Sequence, residues 1–162
     1  MIRQRRSAQA LTPLGVELVE GSIRGIPLYD GNLERDEGLP EAVVRLKDLI
    51  ADNDGLLLFT SAYNNAMPEL FKSAIDWLSR RASNIERVFG RRPVAVLGAS
   101  PGAFGTVMSQ AAGCRSCAAL ELRPGLAGAD FDADGRLIDE ETRRRLADFV
   151  TGFAAHVAGA AR

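Results

Sequence analysis

A chain of 162 residues, 46% apolar and 25% charged, has the size and composition of one globular domain with a real core. Its net charge of −1 lacks the basic excess of a nucleic-acid binder, and the short run Arg3-Gln4-Arg5-Arg6 reads as a solvated terminus. The longest apolar run, Leu56-Leu57-Leu58-Phe59, falls far short of the ~20 residues that span a bilayer. The basic N-terminus is not followed by the apolar stretch of a secretory signal, so a cytoplasmic location is expected, without membrane or nucleic-acid partners. Two cysteines, Cys114 and Cys117, make no disulfide framework.

In chain order, residues 16–20 (VELVE) alternate apolar and polar side chains as a half-buried strand does. Pro27 and the Asp30-Gly31 pair mark a loop. Residues 40–52 place Val43, Leu46, Leu49 and Ile50 on one helical face, with Pro40 and Glu41 suited to the first turn. Residues 55–60 (GLLLFT) form an unbroken apolar run, the pattern of a strand buried on both faces of a parallel sheet. A second helix over 68–80 turns Leu70, Phe71, Ala74, Ile75 and Leu78 inward. Residues 92–99 (RPVAVLGA) form another buried strand, and residues 106–113 open a helix. The last helix, 139–157, carries the stripe Leu146, Phe149, Val150, Phe153 and Val157. Strands alternating with helices argue for one α/β domain: a parallel sheet covered by helices on both faces.

In open α/β sheets, ligands bind beyond the carboxyl ends of the strands. One such end continues as Ser61-Ala62-Tyr63-Asn64-Asn65, which supplies an aromatic ring and two amides. The next continues as Gly98-Ala99-Ser100-Pro101-Gly102-Ala103-Phe104-Gly105, whose backbone N–H groups can approach a flat ligand closely. Together they suit a planar heterocycle with hydrogen-bonding edges.

The stretches "LPEAVVRLKDLIADNDGLLLFTSAYNNAMPELFKSAIDWLSR" and "RRPVAVLGASPGAFGT" resemble the NAD(P)H-dependent FMN reductases. The resemblance runs from about Ile26 to Thr106 and resumes at "FDADGRLIDEETRRRL". It implies a flavodoxin-like three-layer sandwich with a parallel sheet, formed by residues 1–162 as a single FMN-binding domain. It also implies FMN as cofactor, NAD(P)H as electron donor, a small-molecule acceptor, and a homodimer or homotetramer. By this resemblance Ser61, Ala62, Tyr63, Asn64 and Asn65 lie along the flavin ring, and Ser100, Pro101, Gly102, Ala103 and Gly105 form the facing loop. Where the family usually has Pro-Glu before the Tyr, this chain has Ser61-Ala62, one carboxylate fewer.

The family's phosphate loop reads Gly-Ser-x-Arg between the first strand and first helix, where backbone N–H groups, hydroxyls and an Arg converge on the phosphate. Gly21-Ser22-Ile23-Arg24 has those residues, but Pro27 and the Asp-Gly turn forbid a helix after it. It is expected to be a decoy at the end of the second strand. The remnant of the true loop is then Arg5 or Arg6, Ser7 and Gln9. No apolar first strand is visible upstream, so that strand is missing or truncated and the sheet should expose strand edges. A polar, Cys-bearing patch around residues 113–118 stands where the family has an apolar helix.

Other motifs have simpler readings. Cys114-x-x-Cys117 lacks a thioredoxin-like context and further zinc ligands. Asp130, Asp132, Asp134, Gly135 and Glu141 match a calcium-loop pattern, but the incoming segment is no amphipathic helix; an Asp-Gly turn leading to an Asp139 N-cap accounts for them. His156, the sole histidine, sits near the end of the last helix as a surface residue. The expected activity is hydride transfer from NAD(P)H to bound FMN and on to a flavin, quinone or other small acceptor, with no protein acid or base required. The alternatives are a flavin-site relic acting as a structural or interaction protein, and a calcium-binding module.

Overall fold

The computed structural model describes residues 8–64, 66–90, 92–98, 120–122, 132, 134 and 136–160. A helical turn at residues 8–10 is followed by an irregular stretch to Asp30, with turns at residues 14–15 and 24–25. The elements are then α1 (Gly31–Glu37), α2 (Glu41–Ala51), β1 (Leu56–Thr60), α3 (Glu69–Leu78), α4 (Ala82–Val88), β2 (Val94–Gly98), β3 (Leu120–Leu122) and α5 (Glu140–Ala160). The three strands form one sheet in the order β1-β2-β3, and both ladders are parallel. The expected helix at 106–113 and the Cys114/Cys117 patch lie outside the described residues. No helix among the described residues is long and apolar enough to cross a membrane.

Strand side chains alternate between two faces, and each face meets its own core. One core joins α2, α3 and α4 through Val43, Leu46, Ile50, Trp77 and Val88, with Leu56 packed against it. The other joins Ala95 and Leu97 of β2 to Leu146, Phe149, Val150 and Phe153 of α5, with Leu57 and Phe59 packed against it. Helices on both faces of a parallel sheet give the three-layer α/β sandwich that the alternation of elements requires.

The sequence expectations hold for α2, α3, α5, β1 and β2, and need four corrections. Residues 16–20 form no strand. Alternation marks a half-buried surface, and a strand further requires a ladder, which this segment does not form. Asp30-Gly31 opens a helix rather than a loop, because the Asp30 carboxylate accepts the Asn32 N–H at 2.8 Å as an N-cap. Residues 56–59 are half-buried rather than buried, because β1 is the edge of the described sheet. Leu70 is 42% exposed, while Trp77, on the same side of α3, is fully buried. Trp77 is covered by Pro27 and Tyr29, and Leu70 lies roughly 10 Å further along the axis.

Lys47 is 2% exposed in the middle of α2. Its Nζ donates to the Arg80 carbonyl at 2.9 Å, which fastens α2 to the chain just past α3. Burial pushes the ammonium pKa below its ordinary value, partly offset by Glu34. The folded chain therefore holds this proton less tightly than the unfolded chain. The resulting penalty is largest at neutral pH and fades as pH rises toward the ordinary lysine value. Lys47→Met has no such penalty. Wild-type stability is expected to gain on that variant between neutral pH and pH ~10, as read by paired urea melts across that range.

Candidate functional site

The carboxyl ends of β1 and β2 are in register, Thr60 beside Gly98, so the two chain segments that leave the sheet there start side by side. Thr60 is fully buried and its Oγ1 donates to the Ser61 carbonyl at 3.0 Å, which anchors the start of the first segment. Ser61 and Ala62 are half-buried. Tyr63 then pairs with Ala66 in a tight antiparallel turn, with bonds of 3.1 and 2.9 Å in the two directions. Two residues lie between them, and Asn64 takes the left-handed conformation at φ 51°. Asn tolerates that region better than most residues, and paired asparagines favour such turns.

This turn leaves Tyr63 67% exposed at the carboxyl end of the sheet, ahead of the amino end of α3. An exposed aromatic ring held by a closed turn, next to backbone that leaves a second strand, is a surface for a flat heterocycle. The described part of the site therefore fits the ring of a flavin. Asn64→Val places a β-branched side chain at positive φ. The expected cost is ~1–2 kcal/mol of local strain and loss of the Tyr63–Ala66 bonds, whereas Asn64→Gly keeps them. Amide exchange at Ala66 distinguishes the two variants.

Of the sequence-predicted site residues, the structure brings Ser61, Ala62, Tyr63 and Asn64 together on one turn. Asn65, Ser100, Pro101, Gly102, Ala103, Gly105, Arg5 and Ser7 lie outside the described residues. The left-handed turn itself escaped the sequence reading, although the Asn-Asn pair between Tyr63 and Ala66 was its signal.

Gly21-Ser22-Ile23-Arg24 does not make a phosphate cradle. The Ser22 hydroxyl accepts the Arg24 N–H at 3.2 Å, Ile26 N–H closes a turn onto the Ile23 carbonyl, and Gly25 sits at φ 80°. No helix starts there; the next one begins at Gly31. Of the calcium pattern, Asp130 and Gly135 lie outside the described residues, while Asp132 and Glu141 make contacts within the chain. The Asp132 carboxylate accepts the Arg136 N–H at 2.7 Å, and both Glu141 oxygens bind Arg144 at 2.8 and 2.7 Å. Asp139 accepts the Thr142 N–H at 2.7 Å as the cap of α5, and hydrogen bonding to Thr142 holds its carboxyl below the usual range. His156 is exposed on α5.

Comparison with known proteins agrees with this geometry. The profile of the family described as NADPH-dependent FMN reductase matches residues 4–124. The chain is 37% identical over 143 residues to a 2-hydroxy-1,4-benzoquinone reductase of Burkholderia sp., covering 83% of this chain and 76% of that protein. It is 37% identical over 149 residues to an NAD(P)H-dependent FMN reductase of Pseudomonas aeruginosa, covering 87% of this chain and 78% of the relative. Among solved structures, the flavoenzyme NAD(P)H:(acceptor) oxidoreductase FerB of Paracoccus denitrificans superposes with a TM-score of 0.80 at 30% identity, covering 98% of this chain and 89% of that one. The fold is thus flavodoxin-like, and the chain belongs to the NADPH-dependent FMN reductase family.

Proposed function

We propose that this protein is an oxidoreductase that binds FMN, takes a hydride from NAD(P)H and passes electrons to a quinone, a flavin or another small acceptor. The observation that carries this reading is the exposed Tyr63, held by the Asn64 turn where the carboxyl ends of β1 and β2 lie in register. Relatives named as benzoquinone and FMN reductases support it. FMN when bound supplies the electron transfer, so the chain's own residues position rather than react.

In this reading Ser61, Ala62, Tyr63, Asn64 and Asn65 lie along the ring, opposite Ser100, Pro101, Gly102, Ala103 and Gly105. Arg5 and Ser7 hold the phosphate. A cytoplasmic homodimer or homotetramer of single-domain chains completes the proposal.

A second reading, a flavin-site relic with weak or no FMN binding acting as a structural or interaction protein, rests on the lack of a readable apolar first strand and Gly-Ser-x-Arg phosphate loop at the start of the sequence. Each lost charge-assisted phosphate contact costs roughly 1.5–3 kcal/mol, and ~1.4 kcal/mol is tenfold in affinity.

The test is NADPH and NADH oxidation by the purified protein with 1,4-benzoquinone, with and without added FMN. Turnover that requires both protein and FMN is expected. Tyr63→Ala should weaken FMN binding roughly tenfold by loss of ring contact, at ~1 kcal/mol or more. No turnover with either nucleotide at saturating FMN would favour the relic.

A further inference from the structure

β1 is apolar from Leu56 to Phe59 and ends on a hydroxyl, that of Thr60, which is fully buried. A buried hydroxyl costs stability unless it is bonded, and valine has nearly the same shape without one. Packing alone therefore does not call for threonine here. The work of the hydroxyl is local: Oγ1 donates to the carbonyl of the next residue, Ser61, at 3.0 Å.

That bond fixes a direction. Alternate strand residues share a face, so Thr60 lies on the same side of β1 as Leu56, which packs on the core of α2, α3 and α4. The Ser61 carbonyl is held toward that buried side. A trans peptide points its C=O and the following N–H in opposite directions, and the described residues contain no cis peptide bond. The Ala62 N–H is therefore aimed away from the buried hydroxyl. The next N–H along, that of Tyr63, is closed onto the Ala66 carbonyl at 3.1 Å. Ala62 itself is half-buried, one residue before the exposed Tyr63 ring, and the segment starts beside the end of β2, where Thr60 is in register with Gly98.

We propose that Thr60 is a positioning residue for the flat ligand: its hydroxyl sets the tilt of the Ser61–Ala62 peptide so that the Ala62 N–H donates to an acceptor on the ligand's edge. The proposal rests on the flavin reading. Thr60 is buried beneath the site and acts through Ala62 rather than on the ring. A donor N–H holds an electron-rich acceptor more tightly than a neutral one, so this contact favours reduced over oxidised FMN.

Two variants test it. Thr60→Val removes the hydroxyl and keeps the β-branched shape, and Thr60→Ser keeps the hydroxyl. FMN titration of the purified proteins gives the dissociation constant, and a redox titration of the bound flavin gives its potential. Thr60→Val is expected to bind oxidised FMN roughly fivefold more weakly. Its bound flavin should also have a more negative potential, because reduced FMN loses more. Thr60→Ser should stay within about twofold of wild type, with an unchanged potential. Amide exchange at Tyr63 and Ala66 should be the same in all three proteins, since their turn does not use the hydroxyl. Thr60→Ala, which also lacks the hydroxyl, should repeat the Thr60→Val result and takes its place if valine does not fold. Wild-type affinity and potential in Thr60→Val would overturn the proposal, as would equal losses in the valine and serine variants. Equal weakening of both redox forms, or a Tyr63–Ala66 turn that opens in Thr60→Val, would reduce the hydroxyl to a structural role and overturn it too. A wild type that binds no FMN would overturn the flavin reading and this proposal together.

Discussion

Arg92→Ala is expected to destabilise the fold by ~3 kcal/mol, a large share of the ~5–15 kcal/mol that holds a domain together. The reason is how two helices end. The last carbonyls of α2 have no partners within the helix. Asp48 O accepts the Asp52 N–H at 3.0 Å, Leu49 O accepts Asn53 Nδ2 at 2.7 Å, and Ile50 O accepts the Asn53 N–H at 3.2 Å. Ala51 O is left for Arg92 Nη2 at 3.2 Å. The same guanidinium reaches Asn53 O at 2.7 Å, Arg87 O at 3.2 Å and Val88 O, and so closes the end of α4 as well. One planar cation fastens two helix ends just before β2. Charge-assisted bonds contribute ~1.5–3 kcal/mol each, but three of these bonds are only part-buried and the one to Arg87 O is exposed, so the carbonyls rehydrate in the variant and the sum falls well short of four full bonds. Lysine offers a single point charge, so Arg92→Lys should recover only part of the loss. Urea melts of the three proteins give the comparison.

Trp77→Ala is expected to cost ~3–5 kcal/mol and to lower the melting temperature by about 10 °C. Trp77 is fully buried between α2 and α4. Its Nε1 donates to the Pro27 carbonyl at 3.0 Å, and its ring meets Tyr29 edge-on at 5.0 Å. Tyr29 is held in turn by its N–H on Ser73 Oγ at 3.2 Å and by Arg80 stacked 4.6 Å from its ring. The indole is thus the anchor that ties the segment before α1 to α3. Trp77→Phe keeps most of the volume and loses the bond to Pro27, for ~1–2 kcal/mol. Differential scanning calorimetry should rank wild type, Phe and Ala in that order.

These anchors show what the sequence could convey. The stripes of α2, α3 and α5 and the apolar runs of β1 and β2 were legible because period and burial agree within each segment. Residues 16–20 alternate like a strand, yet alternation reports a half-buried surface and not the presence of a ladder partner. Asp30 was ambiguous for a different reason. A carboxylate that accepts an N–H two residues on is the first bond of an Asx turn and of a helix N-cap alike, so Asp-Gly announces either. α4 is only seven residues long, follows Arg81 at φ 57° and exposes Ile85, so it carries no readable stripe. Arg92 and Lys47 act on backbone carbonyls from distant segments, which no local pattern reveals.

For the site, the aromatic and amide residues at the end of β1 were legible because strand ends in α/β sheets are where ligands bind. The rejection of residues 21–24 as a phosphate loop was legible too, because Pro27 excludes a helix directly after it. The left-handed Asn64 was not, since several turn types accept the same Asn-Asn pair.

The central claim is that the turn at the end of β1 belongs to an FMN site. The most direct measurement is the visible absorption spectrum of the purified chain after incubation with FMN and desalting, followed by anaerobic addition of NADPH. The account predicts a retained flavin band that bleaches with NADPH and is diminished in Tyr63→Ala. A colourless protein after desalting, with no FMN binding in a direct titration, would contradict it.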